Sequence, residues 1–195
     1  MKKTIYFTSL LLITISTIKS QTIERIGLKG PINFNKTEFN LAWSEKPNDN
    51  YYIQEYLPKN ETVEKFNELI TVNLFVLDVS VENAIHQKVS ELTKRKETDK
   101  VCNFSVINSP DGEESILDCL LSSNKNDELD IVEFIIYRYK QIELDNHKKA
   151  LLVYSYSKRS YGNKITKFLQ NLATERENLL NVMISTKIPE TKIKE

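Results

Sequence analysis

The chain has 195 residues, and its 27 Lys and Arg side chains balance 27 Asp and Glu side chains, so the formal net charge is zero. Charged residues make up 28% and hydrophobic residues 40%, which is typical of a folded domain and not of a disordered chain. Balanced charge argues against a nucleic-acid-binding protein, and four glycines cannot supply a Gly-rich phosphate loop. Two cysteines and two histidines leave few zinc ligands, so we expect no metal and no cofactor.

The N-terminal residues are typical of a secretory signal peptide. Lys2 and Lys3 precede an apolar run from Ile5 to Ile18, and Ser20 is a small residue suited to cleavage. The alternative is a membrane anchor, but the run of about 14 residues is shorter than the ~18–20 that a span needs. No cysteine follows the run, so a lipoprotein is not expected.

We therefore predict a leader over residues 1–20 and a single domain over residues 21–195, exported to the periplasm or the extracellular medium. After cleavage no transmembrane segment is expected. Three of the basic residues lie in the leader, which leaves 24 basic against 27 acidic residues in the mature chain. This slight negative charge gives no attraction to nucleic acid.

Two strands are predicted between residues 32 and 58. Alternating apolar and polar residues around 39–43 predict the first, turn-forming residues 46–50 end it, and the tyrosine-rich residues 51–57 predict the second.

Two helices are expected next. Asn60 is suited to cap a helix over about 60–76, whose apolar residues at helical spacing are Val63, Phe66, Ile70 and Leu74. Ser80 is suited to cap a second helix, whose apolar stripe is Val81, Ile85, Val89 and Leu92.

Four strands and a final helix complete the chain. The strands are expected over 101–108, 114–122, 129–144 and 149–158, the helix over 163–185, and a fraying tail over 187–195. The element order β-β-α-α-β-β-β-β-α predicts an α+β fold, in which helices cover an antiparallel sheet of about six strands.

The two cysteines lie in the hairpin predicted over residues 101–122. If it turns at Pro110–Asp111, Cys102 lies directly opposite Cys119, at a Cα separation of ~4.5–5.5 Å that a disulfide can bridge. Disulfides persist in exported proteins, so we predict a structural disulfide. Two buried free thiols and a catalytic pair are the alternatives.

Few residues suggest catalysis. Glu82 and His86 are one helical turn apart, which suits a weak metal or acid–base pair, although a surface ion pair is the simpler interpretation. His147 lies in a predicted turn beside Asp145, where a solvated side chain is the simpler interpretation. No serine or cysteine lies in a recognisable nucleophile turn.

The junction between the last strand and the last helix, residues 154–164, combines cations, hydroxyls and a helix N-terminus, which suits an anion. The alternative is ordinary capping of that helix by Asn163. The candidate ligand-binding residues are Lys158, Arg159, Tyr161, Tyr154 and Tyr156. Tyrosines in neighbouring strands suggest either core packing or a shallow binding surface.

Residues 55–72 resemble a segment of small exported bacterial proteins of unassigned function, in which a strand passes through a "YLPKGETVE" type turn into a helix. Asn60 stands where such turns often carry Gly, and Phe66 where they carry an aromatic residue, commonly Trp. The element order resembles the PsbP-like and DcrB-like α/β/α sandwiches. The resemblance implies an antiparallel sheet covered by helices and no catalytic residues.

In the absence of any motif for a nucleophile, a metal or a phosphate, the sequence favours an exported, non-enzymatic binding or interaction protein of the bacterial envelope or secretome. Its partner would be an unidentified protein or small ligand, and not nucleic acid. The alternatives are a hydrolase-like enzyme whose site is assembled from scattered residues, and a structural partner in an envelope complex.

Overall fold

Eight antiparallel strands form one sheet, curved into a half-barrel, in a computed structural model that describes residues 22–145, 147–188 and 190–193. The strands are β1 Ile32–Phe34, β2 Thr37–Asn48, β3 Tyr51–Leu57, β4 Glu68–Phe75, β5 Asn103–Asn108, β6 Glu114–Lys125, β7 Glu128–Glu143 and β8 Lys149–Tyr161. Helix α1 spans Val81–Arg95, and α2 spans Ile165–Ser185 after a short 3-10 turn. The predicted leader lies outside the described residues.

The spatial order of the strands is β1-β2-β3-β4-β8-β7-β6-β5. Strand makes up 46% of the structure and helix 23%. The predicted fold, with six strands, three helices and the order β-β-α-α-β-β-β-β-α, is therefore wrong. The chain has two further strands, β1 and β4, and β4 replaces the first predicted helix.

The loop before β4 explains why that helix does not form. Asn60 has a φ of 72°, a left-handed conformation that differs from the extended one of a helix N-cap. The Glu61 carboxylate accepts hydrogen bonds from the Asn67 N–H at 2.8 Å and the Glu68 N–H at 3.2 Å, which closes the loop. From Ile70 onwards buried residues alternate along β4, and they are Ile70, Val72 and Leu74.

Helix α2 packs on one face of the sheet and completes the main core. The largest fully buried side chains there are Tyr56, Tyr154, Tyr156, Phe34, Phe39 and Phe134. The Arg176 guanidinium holds α2 to β6 through two hydrogen bonds to the buried Asp118 carboxylate, at 2.7 and 2.8 Å. Arg138 on β7 donates to the carbonyls of Met183 and Thr186 near the end of α2. These contacts fix α2 on this face and leave the opposite face to α1.

The N-terminal segment, residues 22–31, and the C-terminal residues 187–193 lie side by side. The Lys192 N–H donates to the Ile26 carbonyl at 2.8 Å. A Cβ on Gly27, whose φ is 77°, would lie 3.0 Å from the Lys192 nitrogen, so the close approach of the two segments requires glycine. The sequence predicts that residues 187–195 fray. The described part of this tail is in contact with the N-terminal segment.

The β5–β6 hairpin turns one residue later than predicted. Its turn is centred on Asp111 and Gly112, whose φ is 75°, and this shifts every opposed pair by two positions. Phe104, not Cys102, therefore lies opposite Cys119. Both cysteines are buried free thiols in the structure, and the direct opposition on which the predicted disulfide rested is wrong.

Candidate functional site

A cleft of about 370 Å³ lies between α1 and the sheet face that α2 does not cover. Its floor consists mainly of apolar and aromatic side chains, which are Phe75, Leu77, Tyr137, Tyr139, Leu151 and Val153. Its helical wall consists of Ala84, Gln87, Lys88 and Glu91. We call this the helix–sheet cleft.

The pairing register of β4, β8 and β7 places the floor residues of the cleft side by side. Asn73, Val153 and Tyr139 are cross-strand neighbours on β4, β8 and β7, so their side chains lie in one row on one face. Phe75 continues this face, and the ring of Tyr51 stacks on it with centroids 4.5 Å apart. The Tyr51 hydroxyl donates to Asn73 Oδ1 at 2.7 Å, which fixes both side chains at the cleft margin.

The helical wall follows from the sequence of α1. Ala84, Lys88 and Glu91 recur at spacings of four and three residues, which places them on one side of the helix. The neighbouring side, with Val81, Ile85 and Leu92, is buried against the sheet. As a result α1 is held by one stripe of side chains while the adjacent stripe faces the cleft.

Polar groups occupy the margins of the cleft. Lys88 Nζ donates to both Glu91 carboxylate oxygens at 3.0 and 3.1 Å, and it lies 5.2 Å from the ring centroid of Tyr137. Burial raises the pKa of Tyr137 and of Tyr139, so both hydroxyls stay protonated at neutral pH. Among the described residues, none accepts a hydrogen bond from either hydroxyl, which leaves both able to donate to a ligand.

A buried carboxylate fixes the C-terminal end of α1. Asp99 accepts hydrogen bonds from the Ser122 N–H at 2.7 Å, the Ser122 hydroxyl at 2.6 Å and the Val101 N–H at 3.0 Å, and it pairs with Arg95 at 3.1 Å. Burial alone would raise the pKa of Asp99, but these hydrogen bonds outweigh burial and hold the pKa below its usual value. Asp99 thereby ties the end of α1 to β6.

The structure places the predicted anion-binding cations at opposite faces of β8. Because β8 continues to Tyr161 without turning, Lys158 points to α2, where it pairs with Glu175. Arg159 points to the other face and pairs with Glu133 at 2.7 Å. Both border an open depression of about 730 Å³ at the β8–α2 junction, but each charge already has a carboxylate partner.

The predicted tyrosines of this junction lie in the core or are already hydrogen-bonded. Tyr154 and Tyr156 have no exposed surface, so neither reaches a ligand at the protein surface. Tyr161 donates its hydroxyl to the Phe66 carbonyl at 2.7 Å. The structure therefore brings together only part of the predicted site.

The histidines lie apart from the helix–sheet cleft. Glu82 and His86 border a shallow cavity of about 430 Å³ beside the β5–β6 turn, and no hydrogen bond joins them. His147 is exposed and its Nδ1 lies 2.5 Å from Glu143 Oε1. In the described part of the chain, no three His, Cys, Asp or Glu side chains are grouped to hold a metal ion.

A family model matches residues 26–188 and represents an uncharacterised family. The chain belongs to this family. Comparison with curated proteins and with solved structures gives no match, and no neighbour confirms the resemblance to PsbP-like or DcrB-like sandwiches.

The family match includes every residue of the helix–sheet cleft, from Asn73 to Val153. Asn73 and Phe75 were not predicted as site residues, because the sequence pattern placed them in a helix. Strand-like alternation across residues 70–75 is the signal that could have found them. Neither α1 nor α2 among the described residues is long and apolar enough to cross a bilayer.

Proposed function

We propose that this protein is an exported, non-enzymatic binding protein that holds a small, apolar, aromatic molecule in the helix–sheet cleft. The observation that carries the proposal is the composition of the cleft, in which an apolar floor carries two tyrosine hydroxyls with no acceptor among the described residues. Its volume of about 370 Å³ lies within the range of small-molecule sites.

The physical basis of affinity would be apolar burial. Each 100 Å² of ligand surface removed from water contributes about 2–3 kcal/mol, at ~25 cal/mol per Å². Aromatic rings suit Phe75, Tyr137 and Tyr139, since offset or edge-to-face contacts add to area burial. A hydrogen-bond acceptor on the ligand would be oriented by the tyrosine hydroxyls.

Export is supported by the sequence of residues 1–20, whose charged start and short apolar run are typical of a signal peptide. A binding role is supported by the apolar and aromatic lining of the cleft. The partner in this proposal is a small molecule, and neither a nucleic acid nor a membrane is required.

The proposal is tested with the neutral fluorescent probe N-phenyl-1-naphthylamine. The wild-type chain should bind it saturably. In Ala84→Trp an indole fills the cleft from the helical wall, so affinity should fall by about tenfold or more, which corresponds to ~1.4 kcal/mol.

The matched control is Ala173→Trp, because Ala173 is an exposed residue on α2, which packs on the other face of the sheet. Circular dichroism checks that both variants fold. Equal probe affinity in Ala84→Trp and Ala173→Trp, or no saturable binding to the wild type, would rule out the cleft as an apolar site.

A further inference from the structure

A second cavity, of about 480 Å³, lies at the edge of the main core and is formed by five separate parts of the chain. These are the N-terminal segment, the β2–β3 hairpin, the end of β4, the β7–β8 turn and the C-terminal residues. Its apolar lining consists of Tyr52, Val76, Leu144 and Ile193, which belong to or pack against the core beneath α2. It is therefore separate from the helix–sheet cleft, which lies on the other face.

Cations outnumber acids in this cavity. Among the described residues, Arg25, Lys46, Lys148 and Lys192 line it with two carboxylates, Asp49 and Asp145, so this described lining carries two net positive charges. The chain as a whole has a balanced charge. We call this cavity the basic end pocket.

Arg25 has a buried side-chain N–H group in this pocket. Its Nε is buried, and no described residue accepts a hydrogen bond from it. The backbone N–H of Arg25 donates to the fully buried Gln54 at 2.6 Å, so the residue is fixed in place. The neighbouring Glu24 Oε1 accepts the N–H groups of Ile26 and Leu28. A guanidinium is always charged, and a buried N–H of this kind normally has an acceptor.

Two lysines of the pocket, Lys46 and Lys192, have exposed partners. Lys46 pairs with Asp49 at 3.3 Å, and Lys192 pairs with Asp145 at 2.9 Å. Asp49 is fully exposed and Asp145 is 73% exposed, so both ion pairs are solvated and weak. An anion inside the pocket can therefore attract both ammonium groups without breaking a buried contact.

We propose that the basic end pocket binds an oxyanion on a small molecule, with the anionic group on the Arg25 guanidinium and the apolar part of the molecule against Tyr52 and Leu144. Arg presents its N–H donors in a planar fork that matches a carboxylate or a phosphate. Lys46 and Lys192 add charge at the mouth of the pocket. The apolar lining favours an apolar acid over an inorganic anion.

The proposal is tested by calorimetric titration of the full chain with benzoate, acetate and inorganic phosphate at constant ionic strength. Benzoate should bind, and Arg25→Gln should weaken its affinity by about tenfold or more, since a charge-assisted pair is lost. Lys46→Gln with Lys192→Gln should weaken it by a smaller factor. Arg25→Lys keeps the charge without the fork and should give an intermediate affinity, and it serves as the variant if Arg25→Gln does not fold.

Lys164→Gln with Lys167→Gln is the matched control, because these exposed lysines border the depression at the β8–α2 junction. It should leave benzoate affinity within about twofold of wild type, as distant surface charges are screened.

Tighter binding of benzoate than of acetate assigns an apolar acid, and tighter binding of phosphate than of either assigns a phosphate group. Three results would overturn the proposal. Benzoate affinity is unchanged in both Arg25→Gln and Arg25→Lys, or the control loses more benzoate affinity than the Arg25 variants do. The third is that none of the three anions binds at about 10 mM.

Ala84→Trp separates this result from the proposed function. Since Ala84 lies in the helix–sheet cleft on the other face, this variant should bind benzoate like the wild type while losing the neutral probe. Loss of both ligands in Ala84→Trp would mean that the anion is held in the cleft and not in the basic end pocket.

Discussion

At the scale of single residues, burial determines the chemistry of the two thiols. Cys119 has no exposed surface, and burial raises its pKa to about 12. Burial also raises the pKa of Cys102, whose Sγ lies 3.6 Å from the Leu92 carbonyl. Because the thiolate is the reactive form, both cysteines should be inert in the folded protein.

We predict that iodoacetamide at pH 8 leaves the native protein unmodified over the time in which it labels a free thiol. In guanidinium chloride, without reductant, two labels should be added, because unfolding exposes both thiols and restores a pKa of ~8.5. Mass spectrometry counts the labels. Rapid labelling of the native chain would contradict the burial, and no labelling of the unfolded chain would show that a disulfide joins Cys102 and Cys119.

At the scale of secondary-structure elements, Asp99 determines how firmly α1 is attached to the sheet. Its carboxylate accepts hydrogen bonds from two residues outside α1, Ser122 and Val101, and is almost fully buried. The pKa of Asp99 is lowered in the fold, so its ionised form stabilises the folded state. This stabilisation is present above the unfolded pKa of ~3.9 and is lost as the pH falls through the lower folded pKa.

We therefore expect Asp99→Asn to lower the free energy of unfolding by about 1–3 kcal/mol at pH 7, because buried donors lose their acceptor. Urea denaturation followed by circular dichroism measures the loss. Below pH ~4 the difference between wild type and variant should shrink. Glu97→Gln, an exposed carboxylate in the same loop, is the control and should change stability little. A pH-independent difference would contradict the stabilising role of the Asp99 charge.

Local signals predicted some elements well and others poorly. Ser80 caps α1 as predicted, with its hydroxyl accepting the Asn83 N–H, since a cap depends on a few adjacent residues. The prediction of a helix over residues 60–76 is wrong because the spacing of Ile70 and Leu74 fits the periodicity of a helix as well as that of a strand. Only pairing with β3 and β8 decides between the two, and that information is not local.

The candidate sites show the same limit. Lys158 and Arg159 are adjacent in sequence, yet their separation across β8 depends on where the strand ends. Arg25 and Lys192 are far apart in sequence and line one pocket, because the two terminal segments pair through the Lys192 N–H. Sequence spacing could not predict either arrangement.

At the scale of the whole molecule, the two faces of the curved sheet have different roles. Helix α2 and the terminal segments cover one face and build the core, with the basic end pocket at its margin. Helix α1 covers the other face only in part, because it packs on β6 and β7 and leaves β4, β8 and the Tyr137–Tyr139 part of β7 as the floor of the cleft. The proposed function rests on this incomplete coverage.

The most direct test is an amide NMR titration of the ¹⁵N-labelled chain with N-phenyl-1-naphthylamine. If the ligand lies between α1 and β4, β7 and β8, saturable shifts should be largest at Phe75, Ala84, Tyr139 and Val153, with little change at Lys164 and Lys167. Largest shifts at the β8–α2 junction, or small shifts spread over the surface without saturation, would contradict a binding site in the helix–sheet cleft.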